Sequence, residues 1–326
     1  MRLGRAAGLT DTGRRRLRNE DAFVCEPPLF AVADGMGGAR AGEIAARLAA
    51  TALEEAAEGI SGPEAVAKLI SEANRRIWER SLADPETAGM GTTVTAALVD
   101  EKSGKVAIGH VGDSRAYLFR DGALEQLTAD HSLVAELVES GLLTPEEAER
   151  HPQRSAITRA LGTEPEVEVD AFTIDARPGD LFLLCSDGLP IMVGDSELRE
   201  LVESVQRAPA EAAEALVAAA NARGGQDNVT VVLFELVAGG ESEPGTAVAA
   251  DVESGDGSAD VEPPTAVVAA PAEPATPATP VSEPPGGAPE DLSRHGAGPG
   301  GRLLALVLIV GIVSAAALLL YWGLLR

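Results

Sequence analysis

Cysteine is nearly absent from this 326-residue chain, with Cys25 and Cys185 the whole supply. Both sit in apolar, strand-like stretches, which excludes a disulfide framework and favours a reducing compartment. Neither is followed by Arg six positions later, so a loop that cradles phosphate around a cysteine nucleophile is excluded. Basic residues are also scarce: 26 Lys and Arg against 51 Asp and Glu leave a net charge of −25. A nucleic-acid binder would need a basic face to release counterions, so that class is excluded. His110, His131 and His151 lie scattered without zinc-ligand spacing, and no His-Glu-x-x-His occurs. No Gly-x-x-x-x-Gly-Lys is present, which argues against a nucleotide cofactor. The early Arg residues precede no apolar run, so no export signal is expected.

Three regions differ sharply in composition. Residues 5–238 mix strand and helix patterns and carry nearly all the aromatics. Residues 239–301 are Pro, Ala, Gly and acid, with Arg294 the only Lys or Arg. Such a stretch cannot bury enough apolar surface to offset chain entropy, so a disordered linker is expected. Residues 302–325 are almost purely apolar between Arg302 and Arg326, with Tyr321 and Trp322 near the far end. As a helix this segment would span roughly 35 Å, long enough to cross a bilayer with some tilt. The expectation is a single-pass protein of the cell membrane with its folded domain in the cytoplasm.

Within the folded region, apolar patterns predict strands near 5–10, 21–24, 29–33, 92–99, 106–111, 115–119, 167–173, 181–185 and 229–236. Helices are predicted over 42–57, with Ile44, Leu48 and Leu53 on one side, and over 63–82, with Val66, Ile70 and Ile77. Shorter helices fit 132–140, 145–150, 196–205 and 208–223. Strands outnumber helices and fall in hairpin-like groups, while the helices come in sequential pairs. The expected fold class is α+β: a four-layer α-β-β-α sandwich of two mostly antiparallel sheets flanked by helix pairs.

Two apolar runs end alike. The run 29–33 stops at Asp34–Gly35, and the run 181–186 stops at Asp187–Gly188. A third acid, Asp227, stands just before the strand-like run 229–232. Carboxylates at strand ends can converge on one point, and several together need cations. A donor set made only of oxygen favours Mg²⁺ or Mn²⁺. Two such ions sharing a carboxylate can lower the pKa of a water between them and hold a phosphoryl oxygen opposite it. The residues alone thus indicate a two-metal phosphoester hydrolase.

Further segments occur in order around these acids: Arg16–Leu17–Arg18–Asn19–Glu20–Asp21, Asp34–Gly35–Met36–Gly37–Gly38, Gly91–Thr92–Thr93, Gly112–Asp113–Ser114–Arg115 and Asp227–Asn228–Val229–Thr230. The set resembles the metal-dependent serine/threonine protein phosphatases of the protein phosphatase 2C type, in particular bacterial membrane-anchored enzymes that oppose Ser/Thr kinases. The resemblance implies that Asp34 bridges two catalytic Mn²⁺ or Mg²⁺ ions, with the Gly35 carbonyl on one of them, and that Asp187 and Asp227 complete the other. It implies that Glu20 and Asp21 hold metal-bound waters and that Arg16 forks onto the substrate phosphate. It places Asp113, with Ser155, at a third metal site, beside a mobile flap over about 131–155. Implied partners are phosphorylated proteins, membrane Ser/Thr kinases among them.

The sequence departs from some relatives at Met36, where they carry a His proposed as the acid for the leaving oxygen. Met36 cannot donate a proton. Two other readings stay open: a phosphatase dedicated to a single regulator, such as an anti-sigma-factor antagonist, and a pseudophosphatase that binds phosphoproteins without turnover.

Overall fold

The computed structural model describes residues 1–37, 41–57, 59–239 and 248–252. The chain forms strands β1 (Arg2–Asp11), β2 (Asp21–Glu26) and β3 (Leu29–Met36), then helices α1 (Ala41–Glu55) and α2 (Pro63–Ala83). Strands β4 (Gly91–Thr92), β5 (Val94–Asp100), β6 (Lys105–Val111), β7 (Arg115–Arg120) and β8 (Ala123–Gln126) follow. Two short helices, α3 (Leu133–Glu139) and α4 (Pro145–Glu149), precede β9 (Asp170–Asp175) and β10 (Leu181–Cys185). Helices α5 (Asp195–Ser204) and α6 (Pro209–Ala222) lead to β11 (Val229–Val237) and β12 (Val248–Val252).

One sheet runs β12-β1-β11-β10-β7-β8 and the other β2-β3-β5-β6-β9, with β4 paired to β3. All these pairings are antiparallel except β1 with β12. The layering follows from period-two alternation along strands that are apolar on both faces. In β3, Phe30 and Val32 point into a core shared with Phe182, Leu184, Val232 and Phe234 of the first sheet. Their neighbours Leu29, Ala31 and Ala33 point the other way, onto α1 and α2. Leu183, Cys185, Val231 and Leu233 of the first sheet likewise face α5 and α6. A helix pair therefore covers the outer face of each sheet, which is the expected α+β sandwich.

The two sheets meet on a stack of aromatic rings. Phe234 lies between Phe30, at 4.2 Å between ring centroids, and Phe182, at 5.0 Å. Phe30 comes from one sheet and the other two from its partner, so this stack ties the layers together.

The structure differs from expectation in several places, among them the strand expected over 92–99, which breaks at Thr93 into β4 and β5. Helix α1 buries Ala41, Gly42, Ala45, Ala46, Ala49, Ala50, Ala52 and Leu53, while Ile44 and Leu48 are only half-buried. Small side chains let this helix lie close on the sheet, so its core face is the alanine stripe and not the larger apolar one. Strand β9 covers Asp170–Asp175 instead of 167–173, because Val167 and Val169 pack on the core without joining the ladder. Strand β8 has no counterpart among the expected strands: its Ala-Leu-Glu-Gln sequence is half polar and none of its residues is fully buried. Finally, β12 lies inside the stretch expected to be a structureless linker, and it pairs through backbone with Ala7–Asp11. The expected membrane helix at 302–325 lies outside the described residues, among which no helix is long and apolar enough to cross a membrane.

Replacing Phe234 by Ala should remove the middle ring and cost about 3–5 kcal/mol of unfolding free energy, the range for an aromatic deleted from a core. Urea denaturation followed by circular dichroism reads this. A loss below about 1 kcal/mol would mean that the inter-sheet core can close over the gap.

Candidate active site

The strand directions bring the acidic residues to one end of the sandwich. Asp34 belongs to β3, and Asp21, which opens β2, pairs with it across the antiparallel ladder. Asp187 follows the end of β10, and Asp227 precedes the start of the adjacent antiparallel strand β11. Asp113 follows β6, which runs parallel to β3 because β5 lies antiparallel between them.

Backbone packing fixes these loops against one another. A Cβ on Gly35 would stand 2.3 Å from the Gly42 carbonyl oxygen and 2.4 Å from that of Glu20. Only glycine fits where the Asp34 loop, the start of α1 and the Glu20 backbone meet. A Cβ on Gly188 would stand 2.0 Å from the Asn228 carbonyl oxygen, so the Asp187 and Asp227 loops touch through main chain. Asn228 staples a third loop to them. Its Oδ1 accepts from the Glu20 N–H at 2.8 Å, and its Nδ2 donates to the Thr12 and Arg18 carbonyls, each at 2.9 Å. The arginine-bearing loop is thereby pinned at the rim of the acidic recess.

Asp21, Asp34 and Asp227 are held by named partners. Thr230 Oγ1 donates to Asp21 Oδ2 at 2.6 Å, and the Thr230 hydroxyl receives in turn from Thr10, also at 2.6 Å. The Asp34 carbonyl accepts from Thr92 Oγ1 and from the Thr93 N–H, both at 2.9 Å. Asp227 accepts the Asn228 N–H on Oδ1 at 2.9 Å and Arg16 Nη2 on Oδ2 at 2.6 Å. One oxygen each of Asp21, Asp113 and Asp187 is buried with no hydrogen-bond partner. Orphaned buried carboxylate oxygens are costly unless something else satisfies them.

A family profile described as Protein phosphatase 2C matches residues 12–222, about two thirds of the chain. The chain belongs to the protein phosphatase 2C family. It is 42% identical over 238 residues to the serine/threonine phosphatase Stp of Listeria monocytogenes, covering 69% of this chain and 93% of that protein. It is 38% identical over 327 residues to the serine/threonine protein phosphatase PstP of Mycobacterium tuberculosis, covering 99% of this chain and 62% of that one. Among solved structures, that of the M. tuberculosis phosphatase PstP/Ppp superposes with a TM-score of 0.69 at 41% identity, covering 73% of this chain and all of that one. The catalytic domain of PstP in complex with two manganese ions superposes with a TM-score of 0.66 at 39% identity, covering 72% of this chain and 99% of that one.

In this phosphatase 2C chain the structure brings Asp34, Gly35, Asp187, Asp227, Asp113, Asp21, Glu20 and Arg16 to one end of the sandwich. Ser155 is exposed, on the segment between α4 and β9. Met36 is half-buried on the β3–β4 pair, where it has no proton to give. Sequence reasoning does not single out Asn228 as the staple, nor Thr93, whose hydroxyl accepts the Asp34 N–H at 3.1 Å and lies 2.5 Å from the Ser114 hydroxyl. Both residues lie inside the quoted motifs, but a side chain that holds backbone leaves no pattern of its own.

The electrostatics fit hard divalent cations. Desolvation, then repulsion from Asp187, pushes Asp113 up to about 8. Desolvation carries Asp21 to about 7 against hydrogen bonds from Thr230 and Ser186. Asp187 rises to about 6 by desolvation and by the Asp227 charge. Asp34 is pushed well above the usual carboxylate range by desolvation and by Asp21, Asp187 and Asp113. Among the described residues no three acidic, His or Cys side chains already stand at ligand spacing of one another. The carboxylates crowd one recess without closing on a point, as like charges must when Arg16 and Arg115 offset them only in part.

A buried acid with a raised pKa keeps its proton in the fold at pH values where the unfolded chain has lost it. For these groups the window runs from about pH 4 to the shifted values near 6, 7 and 8, and stability falls as pH rises through it. The Tm of chelator-treated protein should therefore drop between about pH 5 and pH 8, and Mn²⁺ should restore it, more at the higher pH. A Tm indifferent to both pH and Mn²⁺ would contradict this account of the recess.

Proposed function

We propose that the protein hydrolyses phosphoserine and phosphothreonine on proteins, as a metal-dependent phosphatase of the 2C family. The observation that carries this is the gathering of Asp21, Asp34, Asp113, Asp187 and Asp227 in one recess, with orphaned carboxylate oxygens inside and a guanidinium at the rim. Asp34, the Gly35 carbonyl, Asp187 and Asp227 would hold two Mn²⁺ or Mg²⁺ ions, and Asp113 a further one. Bound there, the ions supply Lewis acidity that activates a water for attack on phosphorus. Glu20 and Asp21 line the recess and orient water by accepting its hydrogens. Arg16 holds Asp227 with one arm, and its half-exposed guanidinium leaves donors for two phosphate oxygens. Met36 itself has no proton to give to the leaving oxygen.

Asp187→Asn removes a charge the ions require, so Mn²⁺-dependent hydrolysis of a phosphothreonine peptide should fall by about 100-fold or more with the fold retained by circular dichroism. Arg16→Ala should chiefly raise KM, because a phosphate clamp acts in the ground state as well. Near-normal turnover in Asp187→Asn would overturn the assignment of the recess, and an unchanged KM in Arg16→Ala would remove that residue from the phosphate site.

We further propose that residues 302–325 anchor the enzyme to the cell membrane with the domain over 5–238 in the cytoplasm, and that residues 239–301 serve chiefly as tether. The apolar run and its flanking Arg302 and Arg326 support this. Such a tether raises the effective concentration of membrane Ser/Thr kinases around the enzyme, which favours them as substrates. In a vesicle flotation assay the full chain should float, and a chain ending at Glu253 should stay at the bottom with full activity. A shorter chain that floats equally well would sink the anchor.

A further inference from the structure

Asp113 sits in a loop whose geometry is set by a histidine outside the residues assigned to the metals and the phosphate. Its neighbour Gly112 has φ +113°, and a Cβ there would stand 2.5 Å from the Thr93 side chain, so this turn has little freedom. Both backbone hydrogen-bonding groups of Gly112 are taken by one residue. The Gly112 N–H donates to His131 Nδ1 at 3.0 Å, and the Gly112 carbonyl accepts from the His131 N–H at 2.7 Å. The peptide planes on both sides of Gly112 are therefore fixed, including the one that leads into Asp113.

The tautomer of His131 follows from these contacts. A backbone N–H can only donate, so Nδ1 carries no proton and the ring's hydrogen is on Nε2. Nε2 donates to Asp170 Oδ2 at 3.1 Å; Arg159 Nη1 spends its two hydrogens on Asp170 Oδ1 at 2.7 Å and the Glu168 carbonyl at 3.3 Å, so its 3.1 Å approach to Nε2 brings two donors together around one carboxylate and is not a hydrogen bond. Asp170, although partly desolvated, is held below the usual carboxylate range by its hydrogen bonds from His131 and Arg159. The ring of His131 also lies 4.7 Å from that of His110, which is fully buried.

The same histidine closes the neck of a long excursion. Its carbonyl accepts from the Thr158 N–H at 2.9 Å, the next residue Ser132 bridges to Ile157, and the Leu133 N–H donates to the Ala156 carbonyl at 2.9 Å. The segment between, with α3 and α4, leans outward: α3 has no buried residue. His131 thus stands between this flap and the backbone that aims Asp113.

We infer that His131 is a positioning residue for the cation held by Asp113, acting through the Gly112 peptide. The inference rests on the phosphatase reading for the existence of that cation, and it concerns the affinity of one site only. Outer contacts of this kind are worth about 10- to 100-fold in metal affinity.

Asparagine and glutamine separate the two ring nitrogens. In His131→Asn the new amide oxygen would fall at the Nδ1 position, whereas in His131→Gln the longer side chain reaches the Nε2 position. The measurement is Mn²⁺ binding to the full-length chain in detergent by isothermal titration calorimetry, with Asp113→Asn identifying the binding step that belongs to Asp113. His131→Asn should bind within about twofold of the unmodified chain, and His131→Gln should weaken only the Asp113 step, by about tenfold, leaving the tighter steps unchanged. Asn and Gln variants that behave alike, or a Gln variant that cannot fold, would overturn the inference in favour of a purely structural histidine. If Asp113→Asn abolished no binding step, the inference would also fall, while Mn²⁺-dependent turnover of the unmodified chain would leave the phosphatase reading standing.

Discussion

Repulsion among carboxylates in a desolvated recess is the constraint on which this structure turns. Asp21, Asp34, Asp113 and Asp187 all rise in pKa by burial and by the charge of neighbouring aspartates, Asp227 among them. A loose scaffold would let them drift apart into water. Here they are held by contacts that side chains cannot relax: Gly35 against Gly42, Gly188 against Asn228, and Gly13 against the Asp227 carbonyl. Behind these contacts the Phe30–Phe234–Phe182 stack keeps the two sheets in register with each other. The fold holds the acids in a state that cations resolve, so metal affinity and fold rigidity are two aspects of one arrangement.

The charge distribution fits this division of labour. A chain of net charge −25 draws divalent cations toward it and repels phosphorylated proteins. Against that background Arg14, Arg15, Arg16 and Arg18 lie exposed along one short loop, and Asn228 pins that loop to the rim of the recess. A local positive edge beside an acidic well suits a dianionic substrate that must approach bound metal.

Much of this is legible in the sequence because the elements that carry it have strong patterns. Strands such as Leu181–Cys185, apolar on both faces and ended by Asp-Gly, announce themselves, and so does the Val66, Ile70, Ile77 face of α2. The alanine face of α1 is not legible, because hydrophobicity ranks Ile44 and Leu48 above alanine while close packing on a sheet selects for small size. In the sequence His131, like His110 and His151, is a scattered histidine without ligand spacing. Its significance lies in which backbone it touches, a relation between distant positions that periodicity does not encode. Strand β12 is hidden for another reason: its sequence sits in an acidic, Pro-rich stretch, and what orders it is the free backbone of β1.

That last pairing bears on how the protein avoids its own kind. Without β12, β1 would present the unpaired amides and carbonyls of Arg2–Asp11 to solvent, a template on which another chain could add a strand. A segment from the same chain that occupies Ala7–Asp11 in parallel blocks that addition for half the edge. Val248–Val252 covers that part of the edge through backbone alone, a use that calls for no particular side chain.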